Sequence, residues 1–279
     1  MIPRFAPVDQ SWDNQPVHRL ARHHTKMPTV LVTGASKGIG LAVTSILLNK
    51  FKANVVALSR TRTPELLALA SDSLLLVDGD ITDESVVASA VNQGLTTFGG
   101  IDGLILNAAT LPPLCRIGDE TPLEQWKSHF DINFFSLVTA LKLALPALRK
   151  SQLGGRVVFV SSGAAVKGTA GWGPYNASKA AMNSLCRTLA EEEPDVVSVA
   201  LRPGMVHTDM QATLRQSGAP HMKAEDHQMF VAVHTNGKLL KAEDPGHVIA
   251  SLALHAAKNL SGQFVSWDSQ ECEDYRSVA

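Results

Sequence analysis

The chain has 279 residues, of which 45% are hydrophobic and 18% are charged, and its 25 Lys and Arg nearly balance 26 Asp and Glu. So large an apolar fraction with so few charges excludes an intrinsically disordered protein. A net charge of −1, without any block of like charges, argues against nucleic acid or a membrane as the main partner. The length suits one large α/β domain or two small ones.

The first 27 residues look different from the rest. Three prolines interrupt any helix there, and the continuous apolar core of a secretory signal is missing. We interpret residues 1–27 as a disordered extension; a weak targeting segment and a start at Met27 are the alternatives. The sequence has no run of about 18 consecutive apolar residues, so no transmembrane helix is predicted. Three widely spaced cysteines without a CxxC pair indicate reduced thiols, no metal site and a cytoplasmic protein.

From residue 28 onward, short apolar runs alternate with longer helical patterns. Strands are predicted at 29–33, 54–59, 74–77, 101–106, 155–161, 196–201 and 262–267. Helices are predicted at 39–50, 64–70, 83–97, 123–145, 174–193 and 243–258, and the stretch 205–241 is predicted to be an irregular lid or substrate loop. Strands that are apolar on both faces belong in a parallel sheet between helices. The prediction is therefore an α/β fold, a single doubly wound parallel sheet (Rossmann fold) with helices on both faces, in one domain over 28–279.

The first strand leads into a glycine-rich turn that opens the first helix, and the turn has the spacing GxxxGxG. Backbone N–H groups in such a turn can approach a pyrophosphate at the positive end of the helix. The turn lacks the final Lys-Ser/Thr of a nucleoside triphosphate loop. It therefore predicts a dinucleotide site at Gly34, Ser36, Lys37, Gly38, Ile39 and Gly40, with a purely structural turn as the alternative.

The end of the second strand indicates which dinucleotide is bound. An acidic residue there would favour NAD, but the sequence continues Ser59-Arg60, with Arg62 just beyond. A guanidinium can bind the 2′-phosphate of NADP with paired hydrogen bonds, and Lys37 adds a second positive charge. The sequence therefore predicts NADPH bound by Ser59 and Arg60; an Arg60 that is merely solvated is the alternative.

Hydroxyl and amine groups suited to proton transfer follow the fifth strand. Tyr175 and Lys179 lie four residues apart on one face of a predicted helix. Ser161 and Ser162 end the strand before it, at the edge where open parallel sheets bind ligands. Either serine, together with Tyr175 and Lys179, predicts an acid–base site there.

Taken together, the glycine turn, Asn107-Ala108-Ala109, Asn133, Ser162, Tyr175-x-x-x-Lys179 and Pro203-Gly204 resemble the short-chain dehydrogenase/reductase family over about residues 28–268. The resemblance implies an NADP-dependent oxidoreductase with Tyr175 as proton donor. Lys179 would lower the pKa of Tyr175 and bind the nicotinamide ribose, and Ser162 would orient the carbonyl oxygen. Asn133 would hold a water that links Lys179 to solvent. The family's spacing selects Ser162 over Ser161.

The same resemblance implies further cofactor contacts. Asp80 and Ile81 would flank the adenine, and Asn107, Ala108 and Ala109 would line the cofactor. In this sequence Thr110 replaces the glycine that the family usually has next. The segment Pro203-Gly204-Met205-Val206-His207-Thr208 matches the family's PGxVxT, in which Val206 and Thr208 hold the carboxamide.

The segments 130–136, 160–167 and 171–175 look like a subgroup, the benzil reductase ((S)-benzoin-forming) and sepiapterin reductase-like enzymes. This implies a small-molecule ketone or vicinal diketone as substrate, with Leu111, Trp172 and Met205 as candidate pocket residues. A pteridine reductase is an alternative, although Ser266 stands where sepiapterin reductases have a carboxylate and Asp268 follows two residues later. A non-enzymatic NADPH-binding sensor is a second alternative. The helices 123–145 and 174–193 form dimer faces in relatives, so a homodimer or homotetramer is expected.

Overall fold

A computed structural model describes residues 27–277, so the predictions for residues 1–26 lie outside the described residues. Seven parallel strands form one sheet in the order β3-β2-β1-β4-β5-β6-β7. The strands are β1 Thr29–Thr33, β2 Asn54–Ser59, β3 Leu74–Asp78, β4 Gly103–Leu106, β5 Gly155–Val160, β6 Val196–Arg202 and β7 Phe264–Ser266. The strand order reverses between β1 and β4, and open parallel sheets bind ligands at the carboxyl ends of such strands.

Helices cover both faces of the sheet, as the apolar strands require. They are α1 Gly38–Asn49, α2 Pro64–Leu67, α3 Glu84–Phe98, α4 Leu123–Phe130, α5 Ser136–Leu148, α6 Gly173–Glu192, α7 Asp209–Ser217, α8 Ala224–Thr235 and α9 Glu243–His255. One core cluster joins α1 and α9 to the sheet, and a second joins α3, α5 and α6 to its other face. The predicted doubly wound α/β fold is confirmed.

The long helix predicted over 123–145 is divided in the structure. A π-helical turn, Asp131–Phe135, separates α4 from α5, and the Ser136 N–H donates to the Asp131 carbonyl five residues back. The helix does not end before Pro146 but continues to Leu148, which is buried in the core. Loss of one hydrogen bond at proline is therefore offset by burial of the last turn.

By length and composition the combined run Leu123–Leu148 could cross a membrane, and it is the one such helix among the residues that the structure describes. The apolar side chains on its inner face, Leu137, Leu141 and Leu148, are buried against the sheet. Core helices pass the same test of length and composition, so this is weak evidence for a membrane span. Outward, Leu123 and Phe135 remain exposed.

The stretch 205–241 is not irregular as predicted, because it contains α7 and α8. Helix α8 has no buried residue, so it shows no apolar stripe that a sequence pattern could reveal. The two helices lie beyond the carboxyl end of β6, above the part of the sheet edge where the predicted acid–base residues lie. Their position still suits a cover over a substrate site.

Candidate functional site

The glycine turn between β1 and α1 packs too closely for side chains. Gly34 has φ +68°, and a Cβ there would lie 2.9 Å from the Ala108 Cα. A Cβ on Gly40 would lie 2.1 Å from the Gly34 carbonyl oxygen. Within the described chain, the first turn of α1 has no acidic residue and no side-chain cap. Its N–H groups are thus available to an anion, and this backbone cradle fits the pyrophosphate of a dinucleotide.

Asn107 holds this turn against the end of β4. Its side-chain amide donates to the carbonyl oxygens of Thr33 at 2.9 Å and Gly34 at 3.1 Å. In return, the Thr33 hydroxyl accepts from the backbone N–H groups of Asn107 and Ala108. Asn107 therefore shapes the cofactor cradle through its amide, and Ala108 follows directly beside Gly34.

The three cations that the sequence places near the 2′-phosphate are each beside a carboxylate. Lys37 contacts Asp209 at 2.7 Å, Arg62 contacts Asp78 at 2.8 Å, and Arg60 lies 4.0 Å from Asp80. Each of these cations thus has a carboxylate neighbour, from β3, the loop after it or α7, and their binding of a 2′-phosphate stays a prediction. We call these six residues the adenosine edge.

Arg60 is the least engaged cation of the adenosine edge. Its side chain is 73% exposed, whereas the guanidinium of Arg62 binds both carboxylate oxygens of Asp78. Backbone and side-chain hydrogen bonds from Thr82 lower the pKa of Asp80. Nearby, the buried Ser59 hydroxyl donates to the Thr61 carbonyl. Of the predicted adenosine contacts, only Arg60 presents a largely exposed guanidinium, and Ile81 is buried beside the edge.

The predicted carboxamide loop lies against the glycine turn. A Cβ on Gly38 would be 3.2 Å from the Thr208 methyl group, and the ion pair of Lys37 with Asp209 joins the same two segments. Val206 is buried and bridges to Leu240. Gly204 has φ +79° after the buried Pro203. The structure thus brings both predicted cofactor segments together, on either side of the switch point in the sheet.

Ser162, Tyr175 and Lys179 meet at the carboxyl end of β5, and we call them the catalytic cluster. Tyr175 is 7% exposed, and burial raises the pKa of its phenol, an effect that a hydrogen bond with Ser162 partly opposes. The neighbouring Ser161 hydroxyl instead donates to Asn183 at 2.6 Å, away from Tyr175. Geometry therefore brings Ser162, rather than Ser161, to the tyrosine.

Lys179 is buried beneath Tyr175. Its ammonium donates to the Val160 carbonyl at 2.8 Å and lies 5.8 Å from the centre of the Tyr175 ring. Burial lowers the pKa of Lys179 to about 7. The expected lowering of the Tyr175 pKa is not found, because burial of the phenol dominates and its largest opposing contact is with Ser162.

A buried hydrogen-bond network lies on the other side of Tyr175. The Asn133 side chain accepts from the Thr110 N–H and donates to the Thr110 carbonyl, both at 2.8 Å, and it also contacts His129 Nε2 at 2.8 Å. His129 Nδ1 lies 2.7 Å from the Pro112 carbonyl, which can only accept, so Nδ1 carries the proton and Nε2 accepts from Asn133. Asn133 therefore ties the loop after β4 to the helix, and its role in holding a relay water stays a prediction.

His129 is a residue of this site that the sequence motifs did not single out. It is 2% exposed, its ring meets Tyr175 edge-on at 6.2 Å, and Nε2 also lies 3.1 Å from the Ser178 hydroxyl. Burial lowers its pKa, a shift that the Pro112 hydrogen bond opposes and the charge of Lys179 reinforces. Its spacing of four residues from Asn133 was the only available signal.

An apolar cluster surrounds Tyr175 on the side facing α7 and α8. Its buried members are Leu111, Ala164, Trp172, Tyr175, Leu214 and Met222, with Leu114, Met210 and Phe230 packed against them. Leu111 and Trp172 thus lie where a pocket was predicted. Met205 is 36% exposed and is not part of this cluster. The arrangement offers a proton donor within an apolar surrounding.

Comparisons with known proteins agree with this geometry. The family model for short chain dehydrogenases matches residues 28–219. An uncharacterized oxidoreductase of Schizosaccharomyces pombe is 43% identical over 249 residues, covering 88% of this chain and 98% of that protein. A benzil reductase ((S)-benzoin forming) of Saccharomyces cerevisiae is 35% identical, covering 86% of this chain and 96% of its own length.

A solved structure shares the whole architecture. The short-chain dehydrogenase/reductase YIR035C from Saccharomyces cerevisiae superposes with a TM-score of 0.85 at 38% identity, covering 90% of this chain and all of that one. Fold, family match and relatives therefore agree, and the coarse chemistry is that of an oxidoreductase with a nicotinamide cofactor. The chain belongs to the short-chain dehydrogenase family.

Proposed function

We propose that the protein is an NADPH-dependent carbonyl reductase that passes a hydride to a ketone or a vicinal diketone such as benzil, with Tyr175 as the proton donor. The observation that carries this proposal is the contact of the Tyr175 phenol with Ser162 above the buried Lys179, inside an apolar cluster. An aromatic or aliphatic ketone can be desolvated there, while its oxygen meets two hydroxyl groups.

The catalytic cluster provides the proton and holds the oxygen. The raised pKa of Tyr175 keeps its phenol protonated at neutral pH, which is the form that donates to a carbonyl oxygen gaining negative charge. Ser162 lies beside the phenol and would donate a hydrogen bond to the same oxygen, so that negative charge develops between two donors. A bound nicotinamide supplies the hydride. Lys179, held by Val160, would stabilise the tyrosinate that remains.

The preference for NADPH rests on Arg60. Its exposed guanidinium is only loosely associated with Asp80, at 4.0 Å, so it can turn to a 2′-phosphate at small cost. No carboxylate ends β2, where NAD enzymes hold the ribose hydroxyls. Among the candidate substrates, a simple diketone is favoured over a pterin. The Asp268 carboxylate, which would have to bind a pterin amine, already accepts a hydrogen bond from the Ser266 hydroxyl at 2.5 Å.

We also propose a homodimer or homotetramer in the cytoplasm, acting on a small molecule. The exposed apolar residues Leu123 and Phe135 lie on one outward surface with Trp126 and Phe130, which a second copy of the chain would cover. Light scattering coupled to size-exclusion chromatography tests this, and a monomer at micromolar concentration would contradict it.

The decisive measurement is consumption of NADPH and of NADH with benzil as substrate. We expect turnover with NADPH, and a loss of about hundredfold in Ser162→Ala. Ser161→Ala is the matched control: it removes a buried hydrogen bond to Asn183 and should cost about 1 kcal/mol of stability while turnover persists. Tight NADPH binding without reduction of any ketone or diketone would instead favour a sensor.

A further inference from the structure

The indole N–H of Trp172 is a buried donor without a partner among the described residues. Trp172 is 8% exposed, and the side chains that cluster with it are apolar apart from Tyr175. A buried donor without an acceptor is costly, and native proteins rarely leave one unless a ligand or water satisfies it. The position of this donor suggests which ligand that is.

Trp172 is in direct contact with the proton donor. Its ring meets the Tyr175 ring edge-on, with centres 5.7 Å apart and planes at 87°. A substrate whose reacting oxygen lies at the Tyr175 phenol therefore extends into a cluster that Trp172 helps to form. In a vicinal dicarbonyl the second oxygen sits on the carbon adjacent to the reacting carbonyl, so a donor on a residue that packs against Tyr175 is a candidate to bind it.

Access to the indole depends on α8. Phe230 of this helix stacks on Trp172 with ring centres 5.4 Å apart and planes at 26°. No residue of α8 is fully buried, so few apolar contacts hold the helix against the cluster. An aromatic group of the substrate that displaced Phe230 would take its place on the indole face and preserve an aromatic contact there.

We propose that Trp172 Nε1 donates a hydrogen bond to the oxygen next to the reacting carbonyl, so that the site selects vicinal dicarbonyls over isolated ketones. This inference rests on the proposed reductase function and adds the group that recognises the second oxygen. A site that leaves a buried donor unpaired with the wrong substrate discriminates more strongly than one that only matches apolar shape.

The test compares benzil with deoxybenzoin, which has the same two phenyl rings but a methylene in place of the second carbonyl. Trp172→Phe keeps an aromatic ring beside Tyr175 and Phe230 and removes the donor together with one ring of the indole, a loss of volume that affects both substrates alike. We expect kcat/KM for benzil to fall about tenfold or more relative to kcat/KM for deoxybenzoin. Phe230→Leu is the control, and it should change both values in the same proportion.

Each outcome separates the two proposals. Equal losses for benzil and deoxybenzoin in Trp172→Phe, or no loss, would show that Trp172 only packs and would overturn this inference while leaving the reductase intact. If the wild-type protein reduces neither compound, the proposed function itself fails, and this inference fails with it.

A second measurement does not depend on folding of the variant. Wild-type protein in complex with NADP⁺ cannot transfer a hydride to the ketone, so binding alone is observed. We expect benzil to bind about tenfold more tightly than deoxybenzoin and to shift one of the four tryptophan indole N–H resonances downfield. Equal affinities with no such shift would overturn the assignment.

Discussion

The catalytic cluster and the adenosine edge lie at the same end of the sheet but treat their charges in opposite ways. In the catalytic cluster Tyr175 and Lys179 are buried and Ser162 is half-buried, and burial alone lowers the pKa of Lys179 to about 7. At the adenosine edge the cations are 47–73% exposed and have carboxylate partners. Exposed pairs contribute about 0–1 kcal/mol each, whereas buried groups depend strongly on single neighbours. Substitutions in the catalytic cluster should therefore abolish turnover, whereas substitutions at the adenosine edge should change the preference between NADPH and NADH.

The largest effect is expected from Tyr175→Phe. Removing the proton donor while keeping the ring should lower kcat for benzil reduction by about a thousandfold. NADPH affinity, measured by fluorescence titration, should change little. A variant with near wild-type turnover would show that the buried phenol is not the proton donor. The catalytic cluster would then not differ from the adenosine edge in its effect on turnover.

The next largest effect is expected from His129→Ala. It tests whether a buried network of uncharged hydrogen-bonding groups also depends strongly on a single residue. The buried Asn133 amide and the Pro112 carbonyl each lose a hydrogen-bond partner, and the buried imidazole leaves a cavity, so the free energy of unfolding should fall by about 2–4 kcal/mol. Urea denaturation measures this. The control is Lys142→Ala, since Lys142 is exposed on α5 and its loss should change stability by less than about 0.5 kcal/mol. Equal effects in the two variants would contradict the network.

Lys179→Met tests the cost of the buried charge through its pH dependence. Because the pKa of Lys179 is about 7 in the folded chain and 10.5 ordinarily, the unfolded chain binds more protons between these values, and wild-type stability rises with pH there. The slope reaches at most about 1.4 kcal/mol per pH unit. Denaturation should therefore show that the free energy of unfolding of Lys179→Met, relative to that of the wild type, is greater at pH 7 than at pH 9. A pH-independent difference would contradict the shifted pKa.

The smallest effect is expected at the adenosine edge. Arg60→Ala should raise the KM for NADPH about tenfold and leave the KM for NADH nearly unchanged, since only NADPH carries the 2′-phosphate. Arg62→Ala is the comparison, and its effect should be smaller because Arg62 already binds both oxygens of Asp78. Equal changes for the two cofactors would show that Arg60 does not read the phosphate.

The sequence was most informative where a strand is buried along its whole length or where two residues are one helical turn apart. Strands β1 and β2 lie where predicted, because every residue in them is buried and the apolar runs are uninterrupted. Tyr175 and Lys179 fall on one face of α6 because four residues make about one helical turn. Helix α8 could not be predicted from periodicity, because none of its residues is fully buried and Phe230 alone of them packs against the apolar cluster.

What the sequence could not show depends on contacts distant along the chain. Asp78 and Asp209 lie 16 and 172 residues from the arginine and lysine that they contact, so the neutral adenosine edge was not visible as a motif. Likewise His129 contacts Pro112 and Ser178, which lie 17 and 49 residues away in other segments of the chain. Charge clusters inferred from sequence neighbours alone omit such partners.

The π-helical turn at Asp131–Phe135 makes the length of this segment as important as its composition. Its bond from Ser136 to Asp131 accommodates one residue more than an α-helix would between the same points. Because the turn already takes up one extra residue, α4 and α5 keep the orientation in which His129 reaches Ser178. Inserting one more residue there would turn everything before it by about 100° relative to α5, since each residue turns a helix by that angle. Single-residue insertions in this short segment should therefore be far less tolerated than substitutions of its outward side chains.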